Sequence, residues 1–556
     1  MPILPAKKHQ RLETVLVALF LIAALLLFAA AASFRSNDLK RAPDASIQAF
    51  AYSMPDDGWA PLTVYFSPYA SAVPGGSITS YTWDLDGDGF YESDATQNNG
   101  YISHTYTNPG VYQVGLQIMD AHGRYNTAAT LVEVRHPASS SVDYWTIFDQ
   151  NKVNRIELQF TQQNWNTLWQ APSKDTEVPA SIILFGERFD QVGISMKGNG
   201  SLGGSGAKKP WKIDFNEYIE GQEFRNLSML LLHNNFGDPS MLREQLAYDM
   251  LRFAGVPSGF VSYVEVWIDI SDDDQPAGYW GVYSMVERPD SKFLASRFGP
   301  GNDSGNLYKA DAWFEQGAAD LAYYGPDISS YPMPRDRVAY RKMPDAAGHD
   351  YSDIINLCYT IDGVDYETPE AWASAVEEVL NVDGYLRYLA ATFLHLNLDT
   401  YPYTGNNYYI YNNPGSDKFE WIAWDENSSW ALFGGGVDFP LYGHTESLGP
   451  LQYAPLFVHA FKVERYRQDY RAYMDLLVRN WFNADHVAAE TQKHQQLVAP
   501  YLIQNSGDRA FYGDTALYNP QDFISEGQQI IETTQQRSQF IWNALAQEES
   551  MKAVDP

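Results

Sequence analysis

Residues 391–425, ATFLHLNLDTYPYTGNNYYIYNNPGSDKFEWIAWD, place Asp399, the pair Asn406 and Asn407, the run Tyr408–Tyr411 and Asp425 in one short stretch. Two carboxylates and an amide carbonyl are hard oxygen ligands. Carried on a helix end, a loop and a pair of strands, they could hold Mg²⁺ against a polyphosphate. Spacing alone also permits a plainer role, because in a chain with 69 acidic residues, aspartates beside a hairpin commonly serve as turn formers. The elements upstream tip the balance.

The strand QVGISM (191–196) runs into Lys197-Gly198-Asn199-Gly200-Ser201-Leu202-Gly203, and the strand KPWKIDF (209–215) follows. A dinucleotide fingerprint would open a helix at this point, so that reading is excluded. A glycine loop between two strands suits closure over phosphates, where Gly198, Gly200 and Ser201 let backbone N–H groups approach. A flexible hairpin is the bland alternative. Lys212 lies on the second strand. Asp238 and Pro239 read as the cap and first residue of a helix, MLREQLAYDMLRFAG, whose apolar positions Leu242, Leu246, Met250 and Phe253 share one side, with Glu244 elsewhere on the surface. Strands VSYVEVWI (261–268) and GYWGVYSMVE (278–287) then lead to Glu287. Glycine loop, strand lysine, helix glutamate, two strands and the 391–425 acids follow the order in which protein kinases assemble a nucleotide site. Each part has its own bland reading, such as a surface ion pair worth under ~1 kcal/mol for Glu244. Their common order is harder to dismiss.

Composition bounds the rest. At 556 residues the chain exceeds one typical core, and 15% aromatics with 40 Gly and 30 Pro fit a folded, loop-rich protein. A net charge of −31 disfavours DNA, RNA and anionic lipid as partners and favours cations. The single Cys358 excludes an intrachain disulfide framework and a four-cysteine zinc site. Residues 15–32, an uncharged apolar run behind Lys7, Lys8 and Arg11, are long enough to span a bilayer, and Ala30–Ser33 also suits signal cleavage. Anchor and cleaved signal are both open, and either places the remaining chain outside the cytoplasmic membrane.

Residues 43–136 alternate with period two in APLTVYFSP (60–68), SITSYTWDLD (77–86) and GVYQVGLQIMD (110–120), which predicts a small β-sandwich. The runs APLTVYF, SYTWDLDGDG, HTYTNPGVYQVGLQIMD and TLVEV resemble the polycystic-kidney-disease (PKD) repeat, implying an extracellular spacer or a module for a surface glycan or protein ligand. Within it, Asp84, Asp86 and Asp88 with Gly89 match the first half of a calcium loop, and Glu92 could assist. Ala95 stands where the bidentate glutamate belongs and no helices flank the loop, so an acidic turn is an equal reading of the possible Ca²⁺ site.

After a linker at 137–144, residues 145–548 form the second domain, strand-rich at first and mostly helical over its last 170 residues, with 549–556 as a tail. No internal repeat or low-complexity tract occurs. The blocks MKGNGS, KPWKIDFN, DPSMLREQLAYDMLRFAGVPS, YVEVWI, GYWGVYSMVERPD, FLASRFG, GNLYK, LNLDTYPYTGNNYYIYNNP and WIAWDEN resemble the spore-coat protein H (CotH) kinase family. The resemblance spans roughly residues 145–480. It implies an α+β protein-kinase-like domain using ATP and Mg²⁺ or Mn²⁺ to phosphorylate a protein. By that resemblance Asp399 is the catalytic acid, Asp425 and Asn407 ligate metal, Lys212 with Glu244 or Arg243 holds phosphates, and Glu287 lies near adenine. Two departures stand out. The Asp399–Asn407 spacer is about three residues longer than is usual for the family and contains Pro402 and Gly405, so Asn406 competes with Asn407. Glu426 also follows Asp425 where a further aspartate is common.

The chain lacks a G-x-S-x-G elbow and an H-E-x-x-H pair, which disfavours hydrolase and zinc-enzyme readings, and His395 sits on an apolar helix as a packed residue would. Paired acids and 15 tryptophans suit a carbohydrate-active enzyme, but no order of motifs supports one. The expectation is therefore an exported two-domain protein kinase. The rival is a non-catalytic adhesion or binding protein using both domains as modules, and transfer of a nucleotidyl group from the same cradle is a third possibility.

Overall fold

A computed structural model describes residues 43–554 apart from 45, 137–140, 171, 205–207, 271–275, 314–315, 345–349, 433, 445–452 and 505–519. Among the described residues no helix is long and apolar enough to cross a membrane. The apolar run at 15–32 lies outside them.

The alternating N-terminal segments form two facing antiparallel sheets. Tyr52–Met54, Leu62–Ser67 and Ile102–Tyr106 make one; Ile78–Asp84, Gly110–Asp120 and Tyr125–Arg135 make the centre of the other, and Asp57–Trp59 joins its edge in parallel. Val64, Phe66, Trp83, Val114, Leu116, Ile118 and Val132 fill the space between them, as period-two alternation requires.

Seven strands then close a barrel: β1 (Asn154–Phe160), β2 (Glu177–Leu184), β3 (Glu187–Met196), β4 (Trp211–Asp214), β5 (Met229–His233), β6 (Val261–Ile270) and β7 (Gly278–Val286). Their order is β2-β3-β4-β5-β7-β6-β1, antiparallel except for β6 beside β1. Alternate residues, among them Ile194, Trp211, Ile213, Leu230 and Leu232, point inward, while Leu231 packs outside the barrel against helix α1 (Arg243–Phe253).

This helix departs from the sequence expectation at its start. Asp238 does not cap it. The Asp238 carboxylate instead accepts from the backbone of Ser240 and Arg243 and from the Arg243 guanidinium, and Met241 takes a left-handed conformation (φ 56°) before the helix begins. Nor does Glu244 lie on the surface: it is buried in the first turn.

Beyond the barrel, β8 (Leu307–Ala310), β9 (Tyr340–Met343), β10 (Tyr408–Asn413) and β11 (Lys418–Ala423) form a second sheet in the order β9-β8-β10-β11. Helices α2 (Val382–His395), α3 (Glu464–Asn480), α4 (Ala484–Ala499) and α5 (Pro520–Val554) pack around it. A single apolar core runs from α1 through this sheet to α5, and it takes in Tyr52, Met54 and Tyr69 of the sandwich. The sandwich is thus seated on the helices. Arg387 of α2 donates to the Ser53 carbonyl at 3.0 Å and pairs with Asp383 (2.7 Å) and Asp56 (3.3 Å), and Tyr101 donates to Asp475 of α3 at 2.9 Å.

Candidate active site

The site lies where β3, β5 and α1 of the barrel side meet the segments that end α2 and β11. Helix α2 stops at Leu396, which takes a left-handed conformation (φ 58°), and Asp399 follows three residues later. Asn407, also left-handed (φ 54°), opens β10 and donates from Nδ2 to the main-chain oxygen of Asp399 at 2.8 Å and to its carboxylate at 3.2 Å. Of the two asparagines, Asn407 is the one whose side chain meets Asp399, and the main-chain carbonyls of both accept from the Thr400 hydroxyl. The β10–β11 hairpin carries the chain back to Asp425, whose left-handed backbone (φ 60°) turns it out of the strand and whose N–H donates to the Tyr248 hydroxyl of α1 at 3.0 Å.

Burial, and after it the Asp425 charge, push the Asp399 carboxyl from 3.8 up to about 7. Two lysines face Asp425. Burial pushes Lys197 below its ordinary range against the opposing pull of Asp425 and Glu244. Lys309 of β8 is pushed down to about 8 by burial and by Arg341, while Asp425 draws it back. The Lys309 ammonium lies 5.2 Å from the Trp424 ring and 5.6 Å from that of Tyr409. Glu244 reaches in from α1, with both carboxylate oxygens within 2.9 Å of His233 Nδ1.

Beneath the acids, fully buried Asn397 accepts from the Asp399 N–H at 3.0 Å and donates to Glu426 at 2.7 Å, tying the two acid-bearing loops together. Burial lifts Glu426 to about 8. One of its carboxylate oxygens is taken by Asn397.

The glycine loop is built as a close turn. Gly198 has φ 82°, and a Cβ there would come within 2.1 Å of the Ser201 hydroxyl, while Gly200 begins a short helical turn, Gly200–Gly204. Three other expected phosphate or nucleotide contacts are corrected by the geometry. Lys212 pairs with Glu177 at 2.8 Å and Asp214 at 3.7 Å on the outer face of the barrel, drawn there by a cluster of three carboxylates that includes Glu217. Arg243 is taken by Asp238 (2.6 Å) and Glu526 of α5 (2.7 Å), which locks α1 to α5. Glu287 is buried against Arg297 at 2.5 Å and accepts from Phe260 N–H at 3.0 Å, so it anchors the end of β7.

The glycine-loop lysine drawn on by Asp425 is Lys197, just ahead of Gly198 in the same motif. Lys197, His233, Lys309 and Asn397 were not singled out from the sequence. Only Lys197 carried a local signal, its place at the strand–loop junction.

The sandwich loop is as its spacing suggests. Carboxylate oxygens of Asp84, Asp86 and Asp88 lie within 4.8 Å of one another. Asp84, however, already accepts from the backbone of Gly87 and Gly89 at 2.8 Å each, as an acidic turn does.

Residues 194–541, more than half of the chain, match the model of the CotH kinase protein family. The chain belongs to this family. Its CotH domain follows a match to the PKD domain model at residues 42–134. Inner spore coat protein H of Bacillus subtilis (strain 168) is 22% identical over 382 residues, covering 67% of this chain and 92% of that protein. Among solved structures, the PKD1 domain from Vibrio cholerae metalloprotease PrtV is 25% identical with a TM-score of 0.13, covering 16% of this chain and 96% of that one. The PKD domain from human SorCS2 is 23% identical with a TM-score of 0.14, covering 19% and 86%. The two-part layout, a PKD-like sandwich followed by a mixed α/β CotH domain with C-terminal helices, accords with both family matches.

Proposed function

We propose that the CotH domain is an exported, atypical protein kinase that transfers the γ-phosphoryl group of ATP to a protein hydroxyl. The observation that carries this reading is the convergence of Lys197 and Lys309 on Asp425 beside the Asp399–Asn407 pair. In a chain of net charge −31, two half-buried lysines gathered onto Asp425 suit a ligand that brings both negative charge and a cation. Mg²⁺ or Mn²⁺ fits the donor set. Asp425 offers a carboxylate, and Asn407, having given its Nδ2 to Asp399, offers its carbonyl oxygen. When bound, the ion supplies charge neutralisation across the phosphates.

The protein's own groups account for the rest. Lys197 and Lys309 balance phosphate charge in a partly dry cleft, where such contacts are stronger than in water. The Gly198–Ser201 turn covers the nucleotide. Asp399 orients the acceptor hydroxyl and takes its proton as the new O–Pγ bond forms and the bond from Pγ to the β-phosphate oxygen breaks, releasing ADP. A carboxyl lifted to about 7 is well matched to that proton. Asn397 keeps Asp399 and Asp425 in register. The sandwich, seated on α2 and α3, would present the cleft at a fixed height outside the cell, and a spore-coat relative and a PKD domain suit a surface location.

The test is transfer of labelled γ-phosphate by the full chain with Mg²⁺ or Mn²⁺, to itself or a generic acceptor protein. Label that disappears in Asp425→Ala, with the fold retained, supports the reading. No label, together with no ATP-dependent thermal shift in the wild type, refutes it and favours a binding module.

A further inference from the structure

His233 ends β5 on the face turned towards α1. Its ring stands edge-on to Trp424, with centroids 5.9 Å apart. Nδ1 lies 2.8 and 2.9 Å from the two oxygens of Glu244. Nδ1 is taken up by Glu244, which leaves Nε2 as the ring nitrogen open to a ligand. That Nε2 is buried and has no hydrogen-bond partner among the described residues. Leaving a polar atom buried and unpaired costs about 1–3 kcal/mol, so its persistence calls for a ligand.

The surroundings say which ligand. A ring nitrogen of His233, a carboxylate oxygen of Glu244 and one of Asp425 all lie within 4.8 Å of one another. That spacing is about two metal–ligand bonds of roughly 2.1 Å, with room for relaxation. A carboxylate holding one imidazole nitrogen while the other takes the ion is the arrangement by which proteins orient a histidine ligand.

We propose that a divalent ion in this cleft is bound by His233 Nε2 together with Asp425, with Glu244 as the orienting carboxylate, and that the site therefore takes Mn²⁺ in preference to Mg²⁺. Mg²⁺ holds to oxygen ligands and near-ideal octahedral geometry. An imidazole nitrogen in the set favours first-row transition ions, and of these Mn²⁺ is the one equally at home with carboxylate and phosphate oxygens. The inference rests on the phosphoryl-transfer reading for the remaining ligands, which Asn407, phosphate oxygens and water would supply. Lys197 is the rival occupant: its ammonium could instead donate to Nε2 and leave Asp425 to bind an ion through oxygen alone.

The experiment is pulsed electron paramagnetic resonance of Mn²⁺ added to the metal-stripped full chain, with and without ATP, in the wild type, His233→Ala and His233→Gln. The expected result is echo modulation from one directly bound nitrogen in the wild type, absent from both variants. Mn²⁺ affinity should fall by about 10–100-fold in the variants, with Mg²⁺ affinity little changed. Bound Mn²⁺ without nitrogen coupling in the wild type overturns this inference alone, since an oxygen-only ion still serves phosphoryl transfer. Failure of the wild type to bind Mn²⁺ at all, even with ATP, overturns both. The wild-type spectrum decides the matter even if a variant fails to fold.

Discussion

Replacing Asp399 by Asn should make the protein more stable and inactive, and the gain should depend on pH in a defined way. Asp399 titrates at about 7 in the folded chain, against 3.8 when unperturbed, because it is buried and faces Asp425. Below about pH 4 it is protonated in both states and contributes no difference. Between about pH 4 and 7 the unfolded chain releases the proton while the native state retains it, so wild-type stability falls as pH rises. Above about 7 the full penalty is present. A rise from 3.8 to about 7 corresponds to about 4 kcal/mol.

Asparagine has the same shape and can still face Asn407, but it carries no charge to bury. Urea titrations of Asp399→Asn and wild type, run in chelator so that no cation pulls the carboxyl back, should therefore coincide near pH 4 and separate to about 4 kcal/mol at pH 8. Glu244 and Glu426 are lifted in the same direction but are present in both proteins, so they cancel to first order. A gain below ~1 kcal/mol at pH 8, or one that does not vary with pH, would refute the claim that Asp399 is held in a strained ionisation state. Phosphate transfer by the variant should be lost at every pH.

Two further contrasts probe the same structure. Lys197→Ala should lower transfer by about 10²-fold or more, because it removes a fixed cation from the cleft, whereas Lys212→Ala should leave transfer unchanged and cost under ~1 kcal/mol, as a half-exposed ion pair does; steady-state rates and urea midpoints of the pair read both effects. Arg387→Ala removes a buried guanidinium shared by Asp383, Asp56 and the Ser53 carbonyl. It should cost roughly 3–5 kcal/mol and free the sandwich from α2, detected as new limited-proteolysis cuts between sandwich and barrel.

Much of this protein is determined by local sequence. Period-two alternation placed strands at 60–68, 77–86 and 110–120, and the structure has them at Leu62–Ser67, Ile78–Asp84 and Gly110–Asp120, because a half-buried strand must alternate to fill a sandwich. The helix–loop–hairpin run from α2 to Asp425 was equally legible, since its acids lie within one short segment whose turns are written in Pro402, Gly405 and the asparagines. The family blocks identified the CotH domain before any coordinate did.

Tertiary structure decided which charged group faces which. Lys197 and Lys212 flank the glycine loop on either side, and only the strand–loop junction marks Lys197 locally. Barrel closure sets Ser195 opposite both Glu177 and Lys212, and the carboxylates there capture Lys212. Lys197, one step beyond the strand, is left to meet Asp425 across 228 residues of chain. Glu244 reads as a surface residue on a helical wheel, yet packing of α1 against β5 buries it on His233. The family resemblance set Arg243 and Glu287 near phosphate and adenine, but Arg243 is held by Asp238 and the distant Glu526, and Glu287 by Arg297. Strand and helix periods follow from backbone geometry and the burial of apolar faces, which act over a few residues. Ion pairing in a buried cleft depends on distances that only the closed fold sets.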